Sequence, residues 1–167
     1  GGVDHAMLSW KTIMQTWTGS QPLVALDLPG YGNSDKPELE YSLSFYTGFL
    51  NAFLDTLNAQ NVTLCGLSMG GAIALQYALR YPNYIGKLVL VAPWGVSASA
   101  PYSLMGRLLV RLPLNQVAYK TLQNRWLAKN IIAGSLIGNR EKITPEILDE
   151  VQTAAHSKDA ARVFQSF

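Results

Sequence analysis

From Asn61 to Pro93 the chain reads NVTLCGLSMGGAIALQYALRYPNYIGKLVLVAP: a short β-rich run, a glycine-flanked turn, a helical stretch and a second apolar run. Two strands joined through a helix of about a dozen residues cannot form a hairpin, so they are expected to lie parallel in one sheet. The stretch AIALQYALRYP carries alanines and leucines at helical spacing and stops near Pro82, and Lys87 to Pro93 is read as the later strand.

Upstream, PLVALDLPGYG from Pro22 to Gly32 presses an apolar run against a proline-glycine turn. That pattern predicts a strand over Leu23 to Leu28, buried on both faces and ended sharply. Ser42 is placed to cap a following helix whose Phe45, Phe49, Ala52, Phe53 and Leu57 fall on one side. The first hundred residues are therefore α/β. Beyond Trp94 a small-residue loop, GVSASAP, leads into segments that read as helix without a convincing strand. Leu104, Met105, Leu108, Leu109 and Leu112 form one apolar stripe ended by Pro113, while Thr144 and Pro145 supply a cap and a first-turn proline to a later helix. The boundary is drawn after residue 96, giving a partial parallel-sheet core over 1–96 and an incomplete helical unit over 97–167.

Composition narrows the function. Hydrophobic residues make up 49% and charged ones 14% of 167 residues, a balance that packs a core and excludes a mainly disordered chain. A net charge of +2 with scattered lysines and arginines leaves no footprint for a nucleic acid. One cysteine and two histidines at unrelated spacings make neither an internal disulfide nor a zinc site, so no metal is expected. No uninterrupted apolar run reaches the ~18 residues that span a bilayer, and GGVDHAML lacks the basic head and apolar body of a signal peptide. A small-molecule substrate met in the cytoplasm, without stable membrane insertion, is the expectation that remains.

Within CGLSMGGA, Ser68 stands between Gly66 and Gly70. A serine hydroxyl is a poor nucleophile until a base takes its proton, so a catalytic serine must project where base and substrate both reach it. A sharp strand-to-helix turn achieves this, and it brings strand and helix so close that only small side chains fit two residues either side. The helix that follows points its unpaired amides and positive dipole end at the place where an oxyanion would form, and the Met69 amide is the natural donor. The bland reading is a glycine turn with an incidental serine. The strand before it and the helix after it favour the elbow.

These segments, GLSMGGAIALQYALRYP with LDLPGYGNSDKP upstream and KLVLVAPWG downstream, resemble the α/β-hydrolase superfamily in order and spacing. The resemblance covers the chain to about Gly95, and the helical remainder is similar to the cap these enzymes insert after the strand that follows the elbow helix. It implies that Ser68 is the nucleophile, that Met69 supplies one oxyanion amide, that Gly66 and Gly70 are the small elbow residues, and that no cofactor is needed. It also implies a second oxyanion amide from Gly1 or Gly2, since GGVDHAMLSW is similar to the end of the family's oxyanion loop. The implied reaction is acyl transfer from a small ester, lactone or activated ketone. Carboxylesterases, lactonases, perhydrolases and carbon-carbon bond hydrolases share the scaffold, whereas the dehalogenase and epoxide hydrolase branches place aspartate where Ser68 stands. Some members of the scaffold bind ligands or partners without hydrolysis, and that is the alternative function.

The family triad runs Ser, acid, His in chain order. His156 is the one histidine after Ser68, and its setting in VQTAAHSKDA reads as a polar helix surface. His5 precedes the serine and has the wrong order for the base. Asp27, before a Pro-Gly turn, is read as tying that turn together. The family strand that carries the oxyanion loop lies between those resembling Leu23 to Leu28 and Val62 to Leu67, and only its far end is represented. Leaving two central strands unpaired is too costly for a marginally stable domain, so the chain is expected to be a fragment, inactive alone, of a longer protein. The competing motif GYGNSD lacks the third glycine of a dinucleotide loop and runs into proline. The stripe from Leu104 to Leu112, with Arg107 and Arg111 one turn apart, suits a membrane surface in principle, but a cap helix over the site is the preferred reading.

Overall fold

A computed structural model describes residues 6–96, 123–135, 139–156 and 163. In chain order the elements are α1 (Ala6–Thr16), α2 (Leu43–Thr56), β1 (Val62–Leu67), α3 (Met69–Arg80), β2 (Ile85–Val91), α4 (Arg125–Ser135) and α5 (Pro145–His156), with 3-10 turns at Pro82–Tyr84 and Arg140–Lys142. Contacts gather the described residues into two compact units, the first comprising 38–96, the second 6–37 together with 123–135, 139–156 and 163. This grouping by contact differs from the core-and-cap division after residue 96, which follows the order of the chain.

In the first unit β1 and β2 pair in parallel, with Cys65 opposite Val89 and Leu67 opposite Val91. The crossover between them is α3, which packs on both strands and is itself covered by α2. The strands alternate: Leu64, Gly66, Leu88 and Leu90 are buried or half-buried, and Thr63, Cys65, Lys87, Val89 and Val91 are exposed. The observed strand β2 begins two residues before the expected one and ends two residues earlier. Helix α3 begins directly after Ser68 rather than at Ala72.

Ser42 caps α2 as its sequence position predicts, its Oγ accepting the Phe45 amide at 3.1 Å. The buried face of that helix is not the expected phenylalanine stripe. Tyr46, Thr47, Leu50 and Leu54 are buried, whereas Phe45, Phe49 and Phe53 are half-buried and Ala52 and Leu57 exposed. Tyr46 and Tyr41 stack at 6.0 Å between centroids, and both are fully buried. Two adjacent apolar stripes were thus available to α2, and the one meeting α3 went inward, at little cost because Tyr and Thr bury an apolar body well when their hydroxyl is bonded. The Thr47 hydroxyl donates to the Leu43 carbonyl at 2.8 Å.

Tyr77 of α3 crosses to α2, its hydroxyl 3.2 Å from Asn51 Oδ1, while Asn51 Nδ2 donates to Asp55 Oδ2 at 2.8 Å. Burial, reinforced by the Asp55 carboxylate and by Tyr84 and Tyr81, pushes the Tyr77 phenol up to about 12.

In the second unit Ile132 of α4, Ile143, and Leu148 and Val151 of α5 form a buried cluster, and Leu8 of α1 packs against it. Thr144 Oγ1 accepts the Ile147 amide at 3.4 Å ahead of Pro145, as expected of that cap. Arg125 bonds Asp149 across α4 and α5, and Lys11 of α1 stands 3.8 Å from Glu150.

The strand expected over Leu23 to Leu28 does not form: these residues have no regular secondary structure, with Leu23 38% and Val24 63% exposed. An apolar run becomes a strand only when a neighbour pairs with it, and among the described residues none does. Helix α1 was not expected, although Met7, Trp10 and Met14 have helical spacing. The stripe from Leu104 to Leu112 lies outside the described residues. Among those that are described, no helix is long and apolar enough to cross a membrane.

Candidate active site

The elbow forms where β1 must turn into α3 with no linker. Ser68 alone makes the connection, at φ 52 and ψ −118. A non-glycine residue at positive φ is strained by its own Cβ, and such strain persists only where the surroundings enforce it. A serine just before a helix ordinarily folds its hydroxyl back as a cap, but the Ser68 side chain makes no such bond. The hydroxyl is turned away from the role that local structure would give it.

The close approach is at Gly66. A Cβ there would fall on the Gly70 carbonyl oxygen and 2.7 Å from both the Gly70 carbonyl carbon and Gly71 Cα. The second crowded glycine is not Gly70, where a Cβ would meet nothing within 4 Å, but Gly71, where it would stand 2.8 Å from Pro93 Cβ. The crowding expected at Gly70 therefore sits one residue on, because the segment after β2 passes over the first turn of α3.

That segment bonds the elbow directly. The Ser68 amide donates to the Val91 carbonyl at 3.0 Å, and the Ser68 carbonyl accepts from the Trp94 amide at 3.0 Å as well as from Gly71 at 2.9 Å and Ala72 at 3.2 Å. Met69 is the first residue of α3, 5% exposed, and its amide stands at the helix start where the dipole is positive. Arg80 in the last turn complements the other end of that dipole. Cys65, three residues before the serine, is an exposed residue of β1 whose thiol is raised above its ordinary value by partial desolvation.

Asp27 belongs to the second unit and knots its turn. Its Oδ2 accepts the Asn33 amide at 3.0 Å, its carbonyl accepts Ser34 Oγ at 2.6 Å, and its Oδ1 accepts the Ala6 amide at the start of α1 at 2.6 Å. Gly32, at φ 53, leaves room for that carboxylate. His156 ends α5, exposed, with Nδ1 2.8 Å from the Gln152 carbonyl, and it lines a shallow concavity with Asp149, Gln152 and Thr153 of the same helix. Gly1, Gly2 and His5 lie outside the described residues.

Residues 7–123 match the model of the alpha/beta hydrolase fold. The chain belongs to that family. Among relatives of this alpha/beta hydrolase, an uncharacterized protein of Mycobacterium tuberculosis is 32% identical over 122 residues, which is 68% of this chain and 36% of that protein. The 2-hydroxy-6-oxo-2,4-heptadienoate hydrolase of Pseudomonas putida is 33% identical over 93 residues, 55% of this chain and 34% of that enzyme. The crystal structure of the haloalkane dehalogenase DatA from Agrobacterium tumefaciens C58 superposes with a TM-score of 0.75 at 27% identity, covering 99% of this chain and 56% of that one. The chain thus spans about a third of the length of the curated relatives it matches. The similarity to proteins of these names supports a hydrolase.

The turn from Val91 to Trp94 and the crowded Gly71 are the parts of the site that sequence reasoning missed. VAPWG shows where a strand ends, and nothing in its letters shows that it bonds the serine.

Proposed function

We propose that this alpha/beta hydrolase is a serine hydrolase acting by acyl transfer on a small carbonyl substrate, an ester, lactone or activated ketone. Ser68 Oγ adds to the carbonyl carbon, and the oxygen that becomes negative is held by the Met69 amide together with that of Gly1 or Gly2. The serine proton passes to a histidine other than His5 or His156 and then to the departing alkoxide or carbanion. Water then adds to the acyl-serine, the same base taking its proton and passing it to Oγ as the acyl group leaves as a carboxylic acid. No cofactor enters this sequence. Residues 97–167 act as a helical cap, and the stripe from Leu104 to Leu112 favours an apolar acyl or ring portion.

The observation that carries this reading is the left-handed backbone of Ser68 between β1 and α3, with its hydroxyl unused as a cap. The similarity to the Pseudomonas putida hydrolase, whose named substrate contains a ketone, supports carbonyl chemistry. Similarity to the dehalogenase is met by a difference in kind: displacement of halide calls for a carboxylate nucleophile, and this chain presents a hydroxyl. The test is labelling of the protein at its natural length with a fluorophosphonate probe beside Ser68→Ala. Labelling of the parent and none of the variant is expected. Equal labelling of both, or none of either, refutes the assignment, the second result favouring a ligand-binding member of the family.

A further inference from the structure

Four described residues other than glycine have positive φ: Asn58, Asn61, Ser68 and Ala92. Asparagine tolerates that region, so the two asparagines need no further account. Serine and alanine do not, and Ser68 and Ala92 stand on the two sides of one pair of hydrogen bonds, Ser68 amide to Val91 carbonyl and Trp94 amide to Ser68 carbonyl. Ala92, at φ 43, is the residue that reverses the chain between Val91 and Trp94 so that both bonds can form. Pro93 adds a ring with fixed φ, and it is wedged against α3 where Gly71 leaves space for it.

We propose that the turn from Val91 to Trp94 is a positioning device for the nucleophile and its oxyanion donor, with Ala92 and Pro93 as the positioning residues. The proposal rests on the reading of Ser68 as nucleophile and of the Met69 amide as oxyanion donor. The link is the planarity of the peptide bond. The Ser68 carbonyl and the Met69 N–H belong to one rigid trans unit and point in opposite directions. The Trp94 amide, by holding the Ser68 carbonyl, therefore aims the Met69 N–H. The Val91 carbonyl fixes the peptide on the other side of Ser68, so the direction of its Cα–Cβ bond is set from both ends. A turn that merely ended β2 would need neither a strained alanine nor a bond to each main-chain group of the serine.

The experiment uses the protein at its natural length and measures fluorophosphonate labelling as a maximal rate, kinact, and an affinity, KI, beside the thermal midpoint. Pro93→Gly and Gly71→Ala, the second of which pushes the ring away, are each expected to lower kinact about tenfold or more with KI within about twofold. The double variant is expected to lose less than the product of the two, because methyl and ring no longer collide. Ala92→Gly accepts φ 43 without strain and is expected to stay folded while kinact falls about fivefold. An unchanged kinact in Ala92→Gly, losses that simply multiply, or losses confined to KI each overturn the proposal, the first even where the other variants fail to fold. A parent protein that takes no label overturns the serine reading and this proposal with it. A labelled parent with indifferent variants overturns the proposal alone.

Discussion

Replacing Gly66 by alanine separates an elbow held by close packing from a turn that happens to contain small residues. Gly66 is not among the glycines with positive φ, so the added methyl brings no backbone strain and acts by contact alone. It would sit 2.7 Å from the Gly70 carbonyl carbon and from Gly71 Cα, so relief demands a shift of roughly 0.5 to 1 Å in the first turn of α3. None of the atoms met is the end of a flexible side chain. Overpacking of this kind costs about 1 to 3 kcal/mol, which lowers the thermal midpoint by about 2 to 12 °C for a protein of this size. The same shift carries Met69 and Ser68 with it, and a misplacement near 1 Å costs about a hundredfold in rate. Calorimetry and the rate of fluorophosphonate labelling read the two effects. Gly70→Ala is the stability control: its methyl would meet nothing within 4 Å, and it is expected to leave stability unchanged or raise it by up to about 1 kcal/mol. The reasoning is refuted if Gly66→Ala is as stable and as quickly labelled as its parent, or if Gly70→Ala is equally destabilised.

Tyr77 couples stability to alkaline pH. Its phenol is neutral in the folded chain up to about 12 and ionises near 10 when unfolded, so stability is full below pH 10 and is lost as pH rises from 10 to 12, by about 2 to 3 kcal/mol. Urea unfolding at pH 9 and pH 11 should show about half of that loss in the parent and a much smaller one in Tyr77→Phe; equal pH dependence in the two would contradict it. In the second unit, Gly32→Ala places a methyl at φ 53 and 2.6 Å from Asp27 Oδ1, and it is expected to cost about 1 to 3 kcal/mol. An unaltered urea midpoint would show that the Asp27 knot is dispensable.

What could be read in the letters was what local rules decide. Ser42 and Thr144 announce their caps because capping needs one side chain and the next turn, and the order of β1, α3 and β2 follows from periodicity and from Pro82. The bend at Ser68 was legible for the same reason, being framed by Gly66 in a strand-turn-helix succession. What escaped depends on partners remote in sequence. Leu23 to Leu28 has the composition of a strand and, among the described residues, no strand beside it, and α2 offered two apolar stripes of which the one meeting α3 went inward. Gly71 and Gly70 are indistinguishable as letters, and only the passage of Pro93 overhead tells them apart.

Because β1 and β2 run in parallel, with Val62 opposite Ile85, the whole of α3 has to be spanned before the first rung between them can close. The bend at Ser68 cannot precede that closure, since the bond that steadies its amide comes from the far end of β2. A free peptide reading GLSMGG would carry the same atoms and no elbow. The strained bend at this serine, on which the proposed function rests, is thus a property of completed tertiary structure, and a conformer frayed at Val91 would lose it while still holding most of its helices.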